Sequence, residues 1–207
     1  MTTIIDYRAG NLTSVRLAFE AIEAPARISS DPDAVRSAER IVFPGVGAAG
    51  SAMENLRALG LEGAIRDAVA AGTPFLGICL GTQILLERSE EDGGTPCLGI
   101  VRGEAVRFRP RSHEEKVPEM GWNQVKFSRP HPVFAGIPDG TDFYFVHSYY
   151  PAPADAADVV ATTEYCGADF ASSIGRGNLV ATQFHPEKSG EAGLRLLRNF
   201  AEWDGRP

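Results

Sequence analysis

Nucleophilic chemistry in this chain of 207 residues has few places to reside, since it holds only three cysteines and four histidines. One cysteine stands in the run Thr73-Pro74-Phe75-Leu76-Gly77-Ile78-Cys79-Leu80-Gly81-Thr82-Gln83. Residues 75–78 read as a short buried strand, and residues 80–88 as a helix with Ile84, Leu85 and Leu86 on its apolar face. Cys79 falls at the join in a Gly-x-Cys-x-Gly pattern, the thiol form of the strand-turn-helix nucleophile elbow. The tight turn demands small residues at 77 and 81, where side chains would collide. A helix N-terminus beside the sulfur favours the thiolate, which is the reactive form. The same pattern also suits a buried cysteine between two turn glycines.

A thiol nucleophile needs a base, and the base needs a third group to fix its tautomer. His185-Pro186-Glu187 follows an apolar strand, as Cys79 does, so both motifs belong at one rim of a sheet. Pro186 disfavours the helical conformation at His185, and in an extended tripeptide residues 185 and 187 point the same way. Glu187 can then accept the second imidazole N–H, giving a Cys79-His185-Glu187 triad. Alone, the tripeptide also reads as a solvated turn before a helix. Oxyanion donors are available from the Leu80 amide and from the loop Gly45-Val46-Gly47. That loop also reads as a helix-start turn. As a phosphate cradle it lacks the lysine of a P-loop and the spacing of a dinucleotide fingerprint.

The elements that carry these motifs alternate in the first half of the chain. Strands are expected at 2–6, 26–29, 40–43 and 75–78, and helices at 12–23, from Asp31-Pro32, at 51–59 and at 61–71. Val15, Leu17, Ala18, Phe19 and Ile22 form the core stripe of the first helix. Strand and helix in alternation specify a parallel sheet wrapped on both faces, with ligands beyond the strand carboxyl ends. Asp6-Tyr7, Pro44 to Gly47 and Cys79 should therefore share a rim. The second half is rich in strands: 98–108, 125–150, 158–165, 170–174 and 179–184, with a hairpin turn over Gly175-Arg176-Gly177-Asn178. Residues 107–116 read as a solvated loop, and His113 and His131 as surface histidines. Ser189 is a plausible cap for a last helix reaching Trp203, with Leu194, Leu197, Phe200 and Ala201 inward. The fold class is α/β: an open, mostly parallel central sheet with helices on both faces and an antiparallel β-rich second half. No linker or repeat divides it, so residues 1–207 form one domain.

Composition narrows the function classes. The net charge is −7 and the pI about 5.1, which favours neither nucleic acid nor an anionic membrane as partner. No secretory signal is visible at the N-terminus and no apolar run reaches membrane-spanning length. Cys79, Cys97 and Cys166 form no Cys-x-x-Cys pair, so neither structural zinc nor a disulfide framework is expected, and a cytoplasmic location fits.

These residues resemble a known family, the class I (triad) glutamine amidotransferases. The likeness rests on Gly77-Ile78-Cys79-Leu80-Gly81-Thr82-Gln83, on His185-Pro186-Glu187 and on Pro44-Gly45-Val46-Gly47. Four further stretches are similar to the glutaminase subunits of imidazole glycerol phosphate synthase. They are Asp6-Tyr7 with Gly10-Asn11-Leu12 and Ser14-Val15; Met120-Gly121-Trp122-Asn123; Phe145 to Tyr150; and Gln183 to Ser189. Arg8 departs from the pattern, because many relatives carry a small residue there. The resemblance implies a flavodoxin-like fold and hydrolysis of glutamine without a cofactor or metal. Cys79 would be the nucleophile, His185 the acid and base, and Glu187 its orienting group. Gln83, Ser148 and Tyr149 match positions that hold glutamine. It further implies a heterodimer with a β/α-barrel cyclase subunit. That subunit receives the ammonia through a channel and converts PRFAR to imidazole glycerol phosphate and AICAR in histidine biosynthesis. Asn11, Trp122 and Lys188 would face that partner, and the 45–47 loop would act as a switch in the stimulated complex. Rival readings are the glutaminase of anthranilate or pyridoxal phosphate synthesis, a silent glutamine-sensing subunit, and a cysteine hydrolase or glyoxalase-like enzyme with the same elbow.

Overall fold

The structure is a computed structural model that describes residues 1–8 and 11–206. The turn read across Arg8-Ala9-Gly10-Asn11 falls partly on residues 9 and 10, outside the described residues, as does Gly10 of the quoted family stretch. The chain begins β1 (Thr2–Ile5), α1 (Leu12–Ala21), β2 (Ala26–Ser29), α2 (Pro32–Arg36), β3 (Arg40–Gly45), α3 (Ala49–Ala58), α4 (Leu61–Ala70), β4 (Phe75–Cys79) and α5 (Leu80–Gln83). It continues through β5 (Arg88–Ser89), β6 (Thr95–Pro96), β7 (Gly103–Arg107), β8 (Glu119–Phe127), β9 (Thr141–His147) and β10 (Tyr149–Pro153). Last come β11 (Val159–Tyr165), β12 (Ala168–Arg176), β13 (Leu179–Thr182) and α6 (Gly190–Glu202).

The main sheet has nine strands in the order β2-β1-β3-β4-β13-β12-β11-β8-β9. From β2 to β13 the neighbours run parallel, and from β13 to β9 they run antiparallel. The parallel half is thus as expected, and the antiparallel strands of the second half extend the same sheet. A four-stranded sheet, β10-β7-β5-β6, lies apart. Because side chains alternate along a strand, each buried strand serves two cores. Ile5, Phe43, Phe75 and Ala181 pack toward α3 and α4, while Ile4, Val42, Leu76 and Val180 pack toward α1 and α6. Helices therefore cover both faces.

Several local expectations need correction. The helix read over 80–88 stops after one turn, at Gln83. Ile84, Leu85 and Leu86 are completely buried, and the carbonyls of residues 84–87 accept hydrogen bonds from the backbone of 97–101. A helix through 88 would need the Ile84 carbonyl for the amide of residue 88, but the Leu98 amide takes it, and the 97–101 segment holds the chain out of helix. Leu17 is 50% exposed, because Val15, Ala18, Phe19 and Ile22 already make the inward stripe and residue 17 lies off it. His131 is buried, packed edge-on to Trp203 at 5.1 Å with its Nδ1 accepting from the Val133 amide. Burial, helped by the charge of Arg129, pushes its pKa down to about 4, so it is a neutral core histidine. Ser189 occupies the N-cap position of α6 without capping it.

Candidate active site

The parallel pairing decides which residues meet. Gly45 stands directly opposite Cys79 in the β3–β4 ladder, and Thr182 opposite Ile78 in the β4–β13 ladder. The carboxyl ends of β3, β4 and β13 are consequently neighbours. They bring together the 45–47 loop, the sulfur of Cys79 and the residues that follow Thr182.

Cys79 has φ 55° and ψ −111°, a backbone conformation that costs a non-glycine residue about 1–3 kcal/mol and persists only where its surroundings impose it. Here the surroundings are crowded. A Cβ on Gly81 would overlap the carbonyl oxygen of Phe43, and one on Gly77 would stand 2.9 Å from Ala181 Cβ. The glycines are thus required mainly by the neighbouring strands, not by each other as the sequence suggested. Thr82 Oγ1 donates to the Thr182 carbonyl at 2.6 Å, tying the start of α5 to β13. Since α5 is a single turn, few peptide dipoles are aligned behind the sulfur, and the helix contributes less to thiolate stability than a long helix would.

His185 and Glu187 form a close pair, with Nδ1 to Oε1 at 2.7 Å and both side chains 3% exposed. The route differs from the extended tripeptide read from the sequence. His185 is extended, with φ −99° and ψ 95°, but Pro186–Lys188 closes into a 3₁₀ turn that swings Glu187 back onto the ring. Burial pulls the pKa of His185 down, yet the charge of Cys79, contact with its sulfur and the Glu187 carboxylate outweigh it and raise the value to about 10. Nδ1 faces a carboxylate and so carries the hydrogen. Nε2 is buried without a hydrogen bond of normal geometry to any described protein group. It is the nitrogen left for proton exchange with the sulfur and a substrate.

Ser189 fixes this turn. Its hydroxyl donates to the His185 carbonyl at 2.6 Å and accepts from the Tyr144 amide at 3.0 Å, while the His185 amide donates to the Tyr144 carbonyl at 2.9 Å. The histidine backbone is thereby fastened to β9.

In front of Cys79 lies a pocket of about 320 Å³ whose wall includes Val46, Gly47, Leu80, Gln83, Ser148 and Tyr149. The size suits a small ligand such as an amino acid. Gly45 stands just inside, packed against Tyr7, whose hydroxyl a Cβ at 45 would overlap. Gly47 has φ 95°, in the region that favours glycine. Tyr7 is completely buried, and burial together with the nearby Cys79 charge raises its pKa well above the usual phenol range. Glu91 is the carboxylate on the pocket wall, with one oxygen accepting from the Ala49 amide at 2.7 Å.

Three of these groups had no role in the sequence reading. Tyr7 was placed only at the rim and in a family stretch, and Gln183, which donates to Cys79 Sγ at 3.6 Å, only inside a family stretch. Glu91 gave no signal, since it is one of three consecutive acids in an irregular segment. Asn11, Trp122 and Lys188 are all exposed. Trp122 packs edge-on to Tyr144 at 6.1 Å, and Lys188 Nζ lies 5.9 Å from the same ring, whereas Asn11 begins α1 with its side chain accepting from the Ser14 amide. Arg8 has φ 64°, which gives a physical reason for a small residue at that position.

Known proteins resemble this chain along nearly its whole length. Residues 4–203 match the family described as Glutamine amidotransferase class-I. The chain is 52% identical over 209 residues to the imidazole glycerol phosphate synthase subunit HisH of Methylococcus capsulatus, covering 97% of this chain and 95% of that one. It is 50% identical over 200 residues to the subunit of the same name from Dehalococcoides mccartyi, covering 97% and 96%. Among solved structures it shares the fold of Thermotoga maritima PurLQS, with a TM-score of 0.73 at 17% identity over 97% of both chains. The chain belongs to the class-I glutamine amidotransferases, within the HisH family of imidazole glycerol phosphate synthase subunits.

Proposed function

We propose that this chain is the glutaminase subunit of an imidazole glycerol phosphate synthase, with Cys79, His185 and Glu187 as its catalytic triad. The observation that carries the reading is the strained Cys79 at the mouth of an amino-acid-sized pocket, with the buried His185–Glu187 pair behind it. The thiolate attacks the side-chain carbonyl carbon of glutamine, and the negative charge moves to the carbonyl oxygen. The Leu80 amide and an amide of the 45–47 loop receive that oxyanion. His185 gives its Nε2 proton to the departing nitrogen, which leaves as ammonia, and a glutamyl thioester remains on Cys79. Water then attacks the thioester while His185 takes its proton, and glutamate departs with the thiolate restored. Glu187 holds the ring through Nδ1 and favours its charged form. Gln83, Ser148 and Tyr149 grip the backbone end of the substrate, with the Glu91 carboxylate available to its ammonium group.

The exposed Trp122 and Lys188 support a docking face for a barrel cyclase subunit that would receive the ammonia. Glutamate release should be measured for the chain alone, then with the cyclase and its ligand. We expect weak release alone, stimulation in the complex, and loss in Cys79→Ala. No release in either condition, or full activity of the variant, overturns the proposal. Stimulation by a different synthase and not by the cyclase would reassign the pathway.

A further inference from the structure

The sulfur of Cys79 has a polar neighbour that the triad does not use. Gln183 follows β13, is completely buried, and donates from Nε2 to Cys79 Sγ at 3.6 Å. The two ends of an amide differ, and here the orientation is forced. Gln83 Nε2 donates to Gln183 Oε1 at 3.0 Å, so the oxygen of Gln183 faces Gln83 and its nitrogen faces the sulfur. Gln83 is fixed in turn, because the same nitrogen donates to the Tyr149 carbonyl at 2.8 Å.

The Tyr149 carbonyl also lies 2.8 Å from His147 Nδ1. A carbonyl only accepts, so Nδ1 carries a hydrogen. On its other side, His147 Nε2 is 3.1 Å from Glu119 Oε2, with the two side chains 2% and 3% exposed. Asn123 Nδ2 completes the series by donating to Glu119 Oε1 at 2.8 Å. Polar contacts thus run from β8, through His147, the Tyr149 carbonyl and Gln83, to the amide that meets the nucleophile, and the donor is settled at each of them except between His147 Nε2 and Glu119 Oε2, which are close without a hydrogen bond of normal geometry.

An N–H aimed at sulfur favours the thiolate, because a hydrogen bond to a charged acceptor is stronger than one to a neutral acceptor and buried sites strengthen the difference. The single turn of α5 leaves room for such a contribution. We propose that Gln183 is a catalytic residue that stabilises the Cys79 thiolate through its side-chain amide, and that Gln83 and the buried His147–Glu119 pair are positioning residues that fix the direction of that amide. The proposal rests on Cys79 being the nucleophile of the glutaminase reading.

The test is iodoacetamide alkylation of Cys79 in the full chain as a function of pH, read on the Cys79 peptide by mass spectrometry. Wild type is compared with Gln183→Met, Gln183→Asn and Glu119→Gln. The other titratable groups facing the sulfur or its pocket, His185, Tyr7, Glu91, Tyr149 and His147, are unsubstituted throughout. Gln183→Met should move the alkylation midpoint up by about one pH unit and slow alkylation about tenfold at pH values below the wild-type midpoint. Glutamate release should lose about as much in kcat, with KM for glutamine within about twofold. Gln183→Asn, which withdraws the amide and remains polar, should shift the midpoint in the same direction if the methionine variant does not fold. Glu119→Gln should give a smaller shift without touching the sulfur. A folded Gln183→Met or Gln183→Asn chain with the wild-type alkylation profile overturns the proposal. Alkylation requires no turnover, so a wild type that alkylates but releases no glutamate would sink the glutaminase reading separately.

Discussion

A buried imidazole between a sulfur and a carboxylate has a pH dependence whose sign follows from its surroundings. In an unfolded chain His185 would titrate near 6.5, whereas in the folded protein burial is outweighed by Cys79 and Glu187 and the value stands at about 10. Folding therefore favours the charged ring. Its contribution to stability is complete below about pH 6.5 and is lost as pH rises through about 10. Glu187→Gln keeps the shape and an acceptor for Nδ1 but removes the counter-charge. We expect it to destabilise the protein by about 2 kcal/mol near neutral pH, with the deficit shrinking once His185 has lost its proton. Urea midpoints for both proteins across this range provide the measurement. An equal deficit at neutral and strongly alkaline pH would show that the loss does not depend on the charge of His185.

The turn that carries His185 was only partly legible in the sequence. Pro186 correctly signalled an extended His185, but nothing in a tripeptide reveals that the next residues curl into a 3₁₀ turn. That outcome depends on β9, an element some forty residues earlier in the chain, and on the close seat of α6. A Cβ at Gly193 would overlap the Pro186 carbonyl oxygen, so α6 presses directly on the turn. The glycine elbow was legible because its causes are local, although the contacts that require the glycines come from neighbouring strands. The helix read past Gln83 failed for the opposite reason: three consecutive leucine-like residues bury equally well in a segment whose carbonyls the irregular stretch 97–101 satisfies. Ser189→Ala tests the coupling of turn to sheet. It leaves the buried Tyr144 amide without its acceptor and frees the His185 carbonyl, which should cost about 1–2 kcal/mol of stability. The larger loss should be in kcat for glutamate release, with KM nearly unchanged, because the pocket wall is untouched. A variant that is less stable yet fully active would show that the staple serves the fold only.

At the scale of the whole molecule, the alternation of β8 separates two tasks. Glu119, Asn123 and Val125 point inward, where Glu119 meets His147 and Asn123. Met120 and Trp122 point outward and are 66% and 58% exposed. Two large apolar side chains side by side on one strand face, with Tyr144 and Lys188 beside them, form the kind of patch that marks an interaction surface. The same Tyr144 holds the backbone of His185, so the proposed docking face and the triad share a strand. Trp122→Ala should leave the isolated chain within about 0.5 kcal/mol of wild-type stability, since an exposed ring supports little of the core. Association with the cyclase subunit should weaken by about 2 kcal/mol or more, roughly thirtyfold in Kd, as expected for a buried aromatic anchor at an interface. Ile28 offers the control: it is 38% exposed on β2, at the opposite edge of the nine-stranded sheet, and Ile28→Ala should leave the affinity unchanged. Titration calorimetry of each variant with the cyclase decides the matter. Equal affinities for wild type and Trp122→Ala would place the partner on another face and remove the mechanical route from that face to His185.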